Sequence, residues 1–138
     1  TYKPKVLYIA FDETDDFAHA GMYDQYIYSA YASVAMIEDL WKMLQEMPEY
    51  KNNTNLIITV DHGRGDTIKS QWKDHGAKIK GANEIWIAAM GPNIKALGEV
   101  DADQTLYQGQ VAATLAKLLN MEFKAAHPVM KPINTIYE

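Results

Sequence analysis

The sequence contains no cysteine and a single arginine, Arg64, among its 138 residues. Without cysteine, neither a disulfide framework nor a thiolate metal site can form. A nucleic-acid surface needs clustered lysine and arginine, whereas the lysines here are scattered and the formal net charge is −5. No apolar run is long enough to predict a transmembrane helix, and the first residues do not have the pattern of a signal peptide.

The remaining composition is typical of a globular domain, with 48% hydrophobic and 22% charged residues. A chain of this size can bury a core as one unit, so we expect a single α/β domain over residues 1–138. Short apolar runs rich in β-branched residues predict three strands, at Lys5–Phe11, Leu56–Val60 and Glu84–Met90. Because it is short, largely apolar and rich in β-branched residues, the second run is expected to be a buried, central and parallel strand.

Two longer segments have apolar residues at three- and four-residue steps. This spacing predicts helices at Tyr23–Met47 and Thr105–Leu119, and Asn120 is a plausible left-handed stop for the second. The tail is expected to add a short edge strand at Ile133–Tyr137. Strands that alternate with helices indicate a layered α/β fold with an at least partly parallel sheet.

An acidic cluster follows the first predicted strand. Asp15 and His19 are four residues apart, so a helical turn would place both on one face. A carboxylate and an imidazole in that arrangement suit one shared cation. The alternative is a solvated acidic loop that caps the next helix, since aspartate is favourable near a helix N-terminus.

A second acid–imidazole pair, Asp61-His62, ends the predicted strand at Val60. Gly63 and Gly65 follow it, so the backbone can turn tightly or approach a ligand there. Ligands of open α/β sheets bind beyond the carboxyl ends of the strands, which makes this pair a candidate metal or acid–base site. An ordinary turn is the alternative.

Two further histidines have different settings. His75 lies in a second Asp-His-Gly sequence within a polar, irregular stretch. It is a candidate ligand, and the alternative is a solvated loop residue. His127 precedes Pro128 without an acidic neighbour, and we interpret it as structural.

Two further motifs follow these pairs along the chain, a small-Gly-Pro at Ala89–Pro92 and a segment at Gln110–Leu119. Together with Asp15-x-x-x-His19 and Asp61-His62-Gly63, in this order, they resemble the alkaline phosphatase superfamily, which includes nucleotide pyrophosphatases/phosphodiesterases, sulfatases and cofactor-independent phosphoglycerate mutases. The resemblance spans about residues 6 to 120. The Asp-x-x-x-His of Glu13–His19 looks like the acid-rich segment of the phosphodiesterase branch. The Asp-His-Gly of Thr59–Gly63 and the small-Gly-Pro of Ala89–Pro92 are similar to two further family motifs. Gln110–Leu119 resembles a late family helix, although Ala112 or a neighbour stands where an acid is usual.

The resemblance implies a three-layer α/β/α fold with a mostly parallel sheet, and two divalent metal ions. One ion would be held by Asp15, His19 and His75. The other would be held by Asp61 and His62, together with an earlier aspartate and a nucleophilic Ser or Thr. One carboxylate with two neutral imidazoles suits Zn²⁺, while Mn²⁺ accepts the same ligand types.

The implied function is hydrolysis of a small-molecule phosphate or sulfate ester by a phosphatase, phosphodiesterase or sulfatase. Two metal ions would stabilise the attacking and leaving oxygens of an in-line displacement. Arg64, three residues after Asp61, would offer a forked contact to an oxyanion. The alternative for Arg64 is a surface arginine.

The family carries its nucleophile and first metal-binding aspartate in an N-terminal half. Only four residues precede Lys5, so we expect this chain to be the C-terminal portion of a larger metal-dependent hydrolase domain, inactive alone. Uncovered apolar surface would then favour self-association. A periplasmic or secreted location is favoured, with the cytoplasm as the alternative.

Two other functions compete with this one. The first is a non-catalytic metal- or ligand-binding domain that has degenerated from the same family. The second is a flavodoxin-like module that binds Mg²⁺ through acids alone, which the histidines argue against.

Overall fold

The computed structural model describes residues 3–100 and 104–137. Their elements, in chain order, are helices α1 (Glu13–His19) and α2 (Tyr23–Glu46), strand β1 (Leu56–Thr59), a 3₁₀ helix (Lys69–Lys73), strand β2 (Ile87–Met90) and helices α3 (Gln110–Leu118) and α4 (Asn134–Tyr137). The protein is therefore mixed α/β, as predicted. No helix among these residues is long and apolar enough to cross a membrane.

These elements belong to two compact units. The first contains described residues 3–46 and 62–85, and the second contains residues 47–61 and 86–137, apart from 101–103. Unit 1 therefore holds α1, α2 and the 3₁₀ helix. Unit 2 holds both strands, α3 and α4. The expectation that 1–138 is one domain stays a prediction.

Unit 1 is built on the two N-terminal helices. The predicted helix from Tyr23 to Met47 is confirmed as α2, which ends at Glu46, two residues before Pro48. Helix α1 packs against α2 and buries Ala18 completely. An exposed ion pair between Glu38 and Lys42, 2.5 Å apart, lies along α2.

The predicted strand at Lys5–Phe11 is wrong, because this segment forms neither strand nor helix. Its apolar side chains are exposed, Leu7 by 65% and Tyr8 by 87%. A strand exists only where a neighbour accepts its backbone hydrogen bonds. The residue types of this run predict an affinity for a sheet, but they do not supply the partner.

The sheet of unit 2 differs from the prediction in its direction. Strand β1 pairs with β2 antiparallel, in a register that joins Leu56 to Met90 and Thr59 to Ile87. This pair is the whole sheet in the part of the chain that the structure describes, so the expected mostly parallel sheet is not seen there. The prediction that β1 is buried and central is also wrong for the described residues, because all four of its residues are only partly buried and it pairs with β2 alone. Residue type favours a strand, but partner and direction depend on the rest of the fold.

The predicted helix of unit 2 begins later than expected. Helix α3 starts at Gln110 rather than Thr105, because the Gln110 side chain turns back and accepts a hydrogen bond from the Tyr107 amide at 2.8 Å. The predicted left-handed stop at Asn120 is confirmed by its φ of 54°. The amides of Asn120 and Met121 donate to carbonyls of the last turn, as in a Schellman cap.

The core of unit 2 lies between α3 and the tail. Thr114 is fully buried, donates to the Gln110 carbonyl at 2.7 Å and accepts the Ile133 amide at 2.9 Å. The tail then forms helix α4, so the predicted edge strand at Ile133–Tyr137 is wrong.

Candidate functional site

The candidate site lies in unit 1, where two glycine-containing loops are paired through their backbones. The Gly63 amide donates to the Ala82 carbonyl at 2.9 Å, and the Gly65 amide donates to the Asp74 carbonyl at 3.2 Å. A Cβ on Gly63 would lie 2.3 Å from the Gly81 carbonyl oxygen. Gly63 is therefore needed for the close approach of a second backbone.

This pairing brings His62 beside His75. Their rings are stacked, with centroids 3.7 Å apart and an angle of 12° between the planes. The His62 Nδ1 lies 3.0 Å from the Gly63 carbonyl oxygen. A proton on Nδ1 would complete that hydrogen bond, and Nε2 would then be the unprotonated nitrogen of the ring.

Helix α1 supplies the acid and the third histidine. Its spacing places His19 Nε2 at 3.3 Å from Asp15 Oδ2, so the predicted shared helical face is confirmed. The Nε2 atoms of His62 and His75 each lie 3.6 Å from Asp15 Oδ1. His75 Nε2 also lies 3.0 Å from His19 Nε2. Asp15 is thus in contact with three imidazoles.

The spacing of these atoms fits a bound cation. Two ligand atoms of a tetrahedral Zn²⁺ site with bonds of about 2.0–2.1 Å are about 3.3 Å apart. The distances that join Asp15, His19 and His75 range from 3.0 to 3.6 Å. Asp15, His62 and His75 also offer ligand atoms that all lie within 4.8 Å of one another. Nitrogen and carboxylate donors at this spacing match the ligand chemistry of Zn²⁺ and Mn²⁺.

Arg64 completes the cluster from the paired loops. Its side chain is only 15% exposed, and its Nη2 donates to Asp15 Oδ1. Its Nη1 donates to the Lys73 carbonyl at 3.2 Å, and the guanidinium lies 5.7 Å from the ring centre of Tyr26. The description of Arg64 as a surface arginine is therefore wrong.

The electrostatic state of Asp15 follows from these neighbours. Burial raises the pKa of its carboxyl group. The hydrogen bond and positive charge of Arg64, with smaller effects of His19 and His75, outweigh burial, so the pKa lies below its ordinary value. Asp15 is consequently held in the ionised form that binds a cation.

The remaining predicted site residue is in the other unit. Asp61 belongs to unit 2, is exposed, and accepts a hydrogen bond from Gln108 Nε2 at its backbone carbonyl, at 3.4 Å. The assignment of Asp61 and His62 to a second metal ion stays a prediction. His127 is also exposed in unit 2.

Sequence reasoning missed two features of the site. It did not foresee that Asp15 contacts His62, which the resemblance had assigned to the other ion. It also missed the ion pair between Asp15 and Arg64, which are 49 positions apart. No local spacing signals either contact, because both depend on how the loop at 62–66 meets helix α1.

Comparison with known proteins adds one finding. The family model described as Type I phosphodiesterase / nucleotide pyrophosphatase matches residues 1–134. That family is part of the alkaline phosphatase superfamily, so the resemblance predicted from the motifs is confirmed. No curated protein and no solved structure matches the chain.

Proposed function

Because the chain belongs to the type I phosphodiesterase/nucleotide pyrophosphatase family, we propose that it carries most of the metal-binding site of a metal-dependent ester hydrolase. The observation that supports this most is the convergence of three imidazoles on Asp15. The proposed substrate is a small-molecule phosphoric diester, the class to which the family description refers. A phosphate monoester or a sulfate ester is the alternative to be tested with it.

We assign the residues as follows. Asp15, His19 and His75 would hold one divalent ion, Zn²⁺ by preference and Mn²⁺ as the alternative. His62 and Asp61 would contribute to a second. When bound, such a pair of ions stabilises negative charge on the attacking and leaving oxygens of the ester.

The protein residues have roles of their own in this proposal. The contact between His62 Nδ1 and the Gly63 carbonyl orients the ring and presents Nε2 to a ligand. The positive charge of Arg64 favours an anionic ester at the site. Its guanidinium has five donors in a fork, and donors beyond those given to Asp15 and the Lys73 carbonyl would contact an oxyanion.

We further propose that this chain works as the C-terminal portion of a larger domain. The exposed run of apolar residues from Val6 to Phe11 supports the proposal, because such a run is suited to pairing within a larger sheet. The rest of that larger domain would complete the three-layer fold with its mostly parallel sheet. It would also supply the nucleophile and the first aspartate, so the 138-residue chain alone would not turn over substrate.

The experiment is a calorimetric titration of the chelator-treated chain with Zn²⁺ and Mn²⁺. We expect binding by wild type and its loss in Asp15→Asn. Asp16→Asn is the matched control, because Asp16 is an exposed acid on the same helix. Binding that is indifferent to Asp15→Asn would contradict the metal site and favour the non-catalytic ligand-binding alternative.

The substrate class is tested separately with p-nitrophenyl esters. A diester, a phosphate monoester and a sulfate ester are each offered to the chain alone and to a longer protein that contains it. We expect diester hydrolysis by the longer protein only. Strong turnover by the 138-residue chain would show that the nucleophile lies within it.

A further inference from the structure

Arg64 connects four segments of unit 1 through one nearly buried side chain. It extends from the loop that contains Gly63 and donates to Asp15 on α1 and to the carbonyl of Lys73 at the end of the 3₁₀ helix. Its guanidinium also lies over Tyr26 on α2. The ring of Tyr26 is in turn 5.8 Å from that of Trp72. A side chain with these contacts has little freedom to move.

The two oxygens of Asp15 have different partners. Arg64 donates to Oδ1, which also lies 3.6 Å from the Nε2 atoms of His62 and His75. Oδ2 faces His19 Nε2 at 3.3 Å. A carboxylate on a helix surface can otherwise rotate about its side-chain bonds. With Arg64 on Oδ1 and His19 beside Oδ2, rotation of the carboxylate is restricted.

We propose that Arg64 is a positioning residue that holds the Asp15 carboxylate in the orientation in which it binds a divalent cation. This inference rests on the proposed metal site and adds a role for Arg64 beyond the oxyanion contact expected from the sequence. Ligating carboxylates are commonly held by hydrogen bonds from a second layer of residues, and loss of such a partner typically costs about 10- to 100-fold in metal affinity.

Geometry and charge make opposite predictions for this residue. A guanidinium that acts only as a counter-ion of Asp15 would compete with the cation, and its removal would tighten metal binding. A guanidinium that orients Asp15 would strengthen metal binding despite its charge. Lysine separates the two effects, because it retains the charge but lacks the planar fork.

The experiment uses the chelator-treated 138-residue chain and Co²⁺ alone, whose visible absorption reports on its coordination, followed by calorimetry with Zn²⁺. The test variants are Arg64→Met and Arg64→Lys. Lys42→Met is the charge control, since Lys42 forms an exposed ion pair on α2. We expect both Arg64 variants to lose about 10- to 100-fold in affinity, with an altered Co²⁺ spectrum, and the control to match wild type.

A second variant retains Arg64, in case its replacement prevents folding. Tyr26→Leu removes the ring beneath the guanidinium but leaves the Asp15 contact in place. We expect metal affinity to fall by about twofold to fivefold, which corresponds to the free energy of one cation–π contact. Tyr28→Leu is the control, because Tyr28 is 71% exposed on the same helix.

The outcomes separate this inference from the proposed function. If wild type binds neither Co²⁺ nor Zn²⁺, the metal site is wrong and the inference is overturned with it. If wild type binds and the Arg64 variants bind equally or more tightly, only the role of Arg64 is overturned. Wild-type affinity in Arg64→Lys would likewise overturn it, since charge alone would then be sufficient.

Discussion

The Nε2 atoms of His19 and His75 lie 3.0 Å apart, although 56 positions of sequence separate the two residues. One of these nitrogens comes from the last residue of α1 and the other from the loop after the 3₁₀ helix. Two imidazole nitrogens at this distance either share a proton or bind the same cation. Asp15 contacts both histidines, and a carboxylate beside two imidazole nitrogens favours a shared cation.

The first prediction concerns these two histidines. His19→Ala and His75→Ala should each lower the affinity for Zn²⁺ by about tenfold or more, since each removes one of the proposed nitrogen ligands. The double variant should lose little more Zn²⁺ affinity than the single variant that binds more weakly, because one ion depends on both residues. Calorimetric titration measures all three, and His127→Ala is the control. Fully additive losses would indicate that the two histidines act at separate sites.

The second prediction is a pH dependence of stability that comes from Asp15. The pKa of its carboxyl group is lower in the folded protein than its ordinary value. Such a group stabilises the fold above its unfolded pKa of about 3.9, and this contribution is lost as the pH falls through the lower, folded pKa. The free energy of unfolding should therefore decrease more steeply below about pH 4 in wild type than in Asp15→Asn.

Urea unfolding followed by circular dichroism, in the presence of a chelator, measures this difference. Asp15→Asn should be less stable than wild type at pH 7, and the gap should narrow in acid. The control is Asp16→Asn, which should follow the wild-type curve. A constant gap between wild type and Asp15→Asn at every pH would contradict the ion pair with Arg64.

The third prediction concerns the backbone contact at Gly63. A Cβ there would lie 2.3 Å from the Gly81 carbonyl oxygen and 2.5 Å from that of Glu84. Because both atoms belong to the backbone, neither can move without breaking the loop pairing, and Gly63→Ala should cost about 1–3 kcal/mol of stability. Metal affinity should decrease as well, since the pairing holds His62 beside His75.

Gly109→Ala is the matched control for this prediction. Gly109 has a φ of −60°, which any residue adopts. Its Cβ would meet only the flexible end of Met130, 3.1 Å from the sulfur atom. Thermal unfolding should show a small effect for Gly109→Ala and a large one for Gly63→Ala. Equal effects would mean that the approach of the two loops is looser than the distances indicate.

The fourth prediction is self-association through the exposed apolar run. Leu7 and Tyr8 are exposed by 65% and 87%, and exposed apolar segments of this kind promote association between chains. Leu7→Lys with Ile9→Lys should reduce the mass measured by light scattering at high concentration. Tyr31→Lys is the control at an exposed site on α2. A monodisperse monomer in wild type would contradict this prediction.

Helices were the elements that the sequence predicted best. The spacing of apolar residues predicted α2 with an error of one residue at its C-terminal end. The four-residue spacing of Asp15 and His19 correctly placed both side chains on one face of α1. The strands were less predictable. The run at Lys5–Phe11 has the residue types of a strand but no partner, and β1 pairs in the opposite direction to the one expected.

The candidate site, likewise, was predictable only in part. The sequence identified Asp15, His19, His62 and His75 as candidate ligands, and the structure brings these four side chains together. The sequence did not indicate that Arg64 holds Asp15, since a lone arginine after an Asp-His-Gly motif carries no sign of its partner. The assignment of Asp61 to a metal ion stays a prediction.

The sequence by itself determined the helical turn that joins Asp15 to His19 and the left-handed stop at Asn120, because both depend on residues within four positions. Tertiary structure alone decided that His62, Arg64 and His75 meet at Asp15. Those contacts depend on loops closed over tens of residues and held by a few backbone hydrogen bonds, such as that from Gly63 to Ala82. No short-range pattern predicts which carbonyl will accept a hydrogen bond from a distant amide.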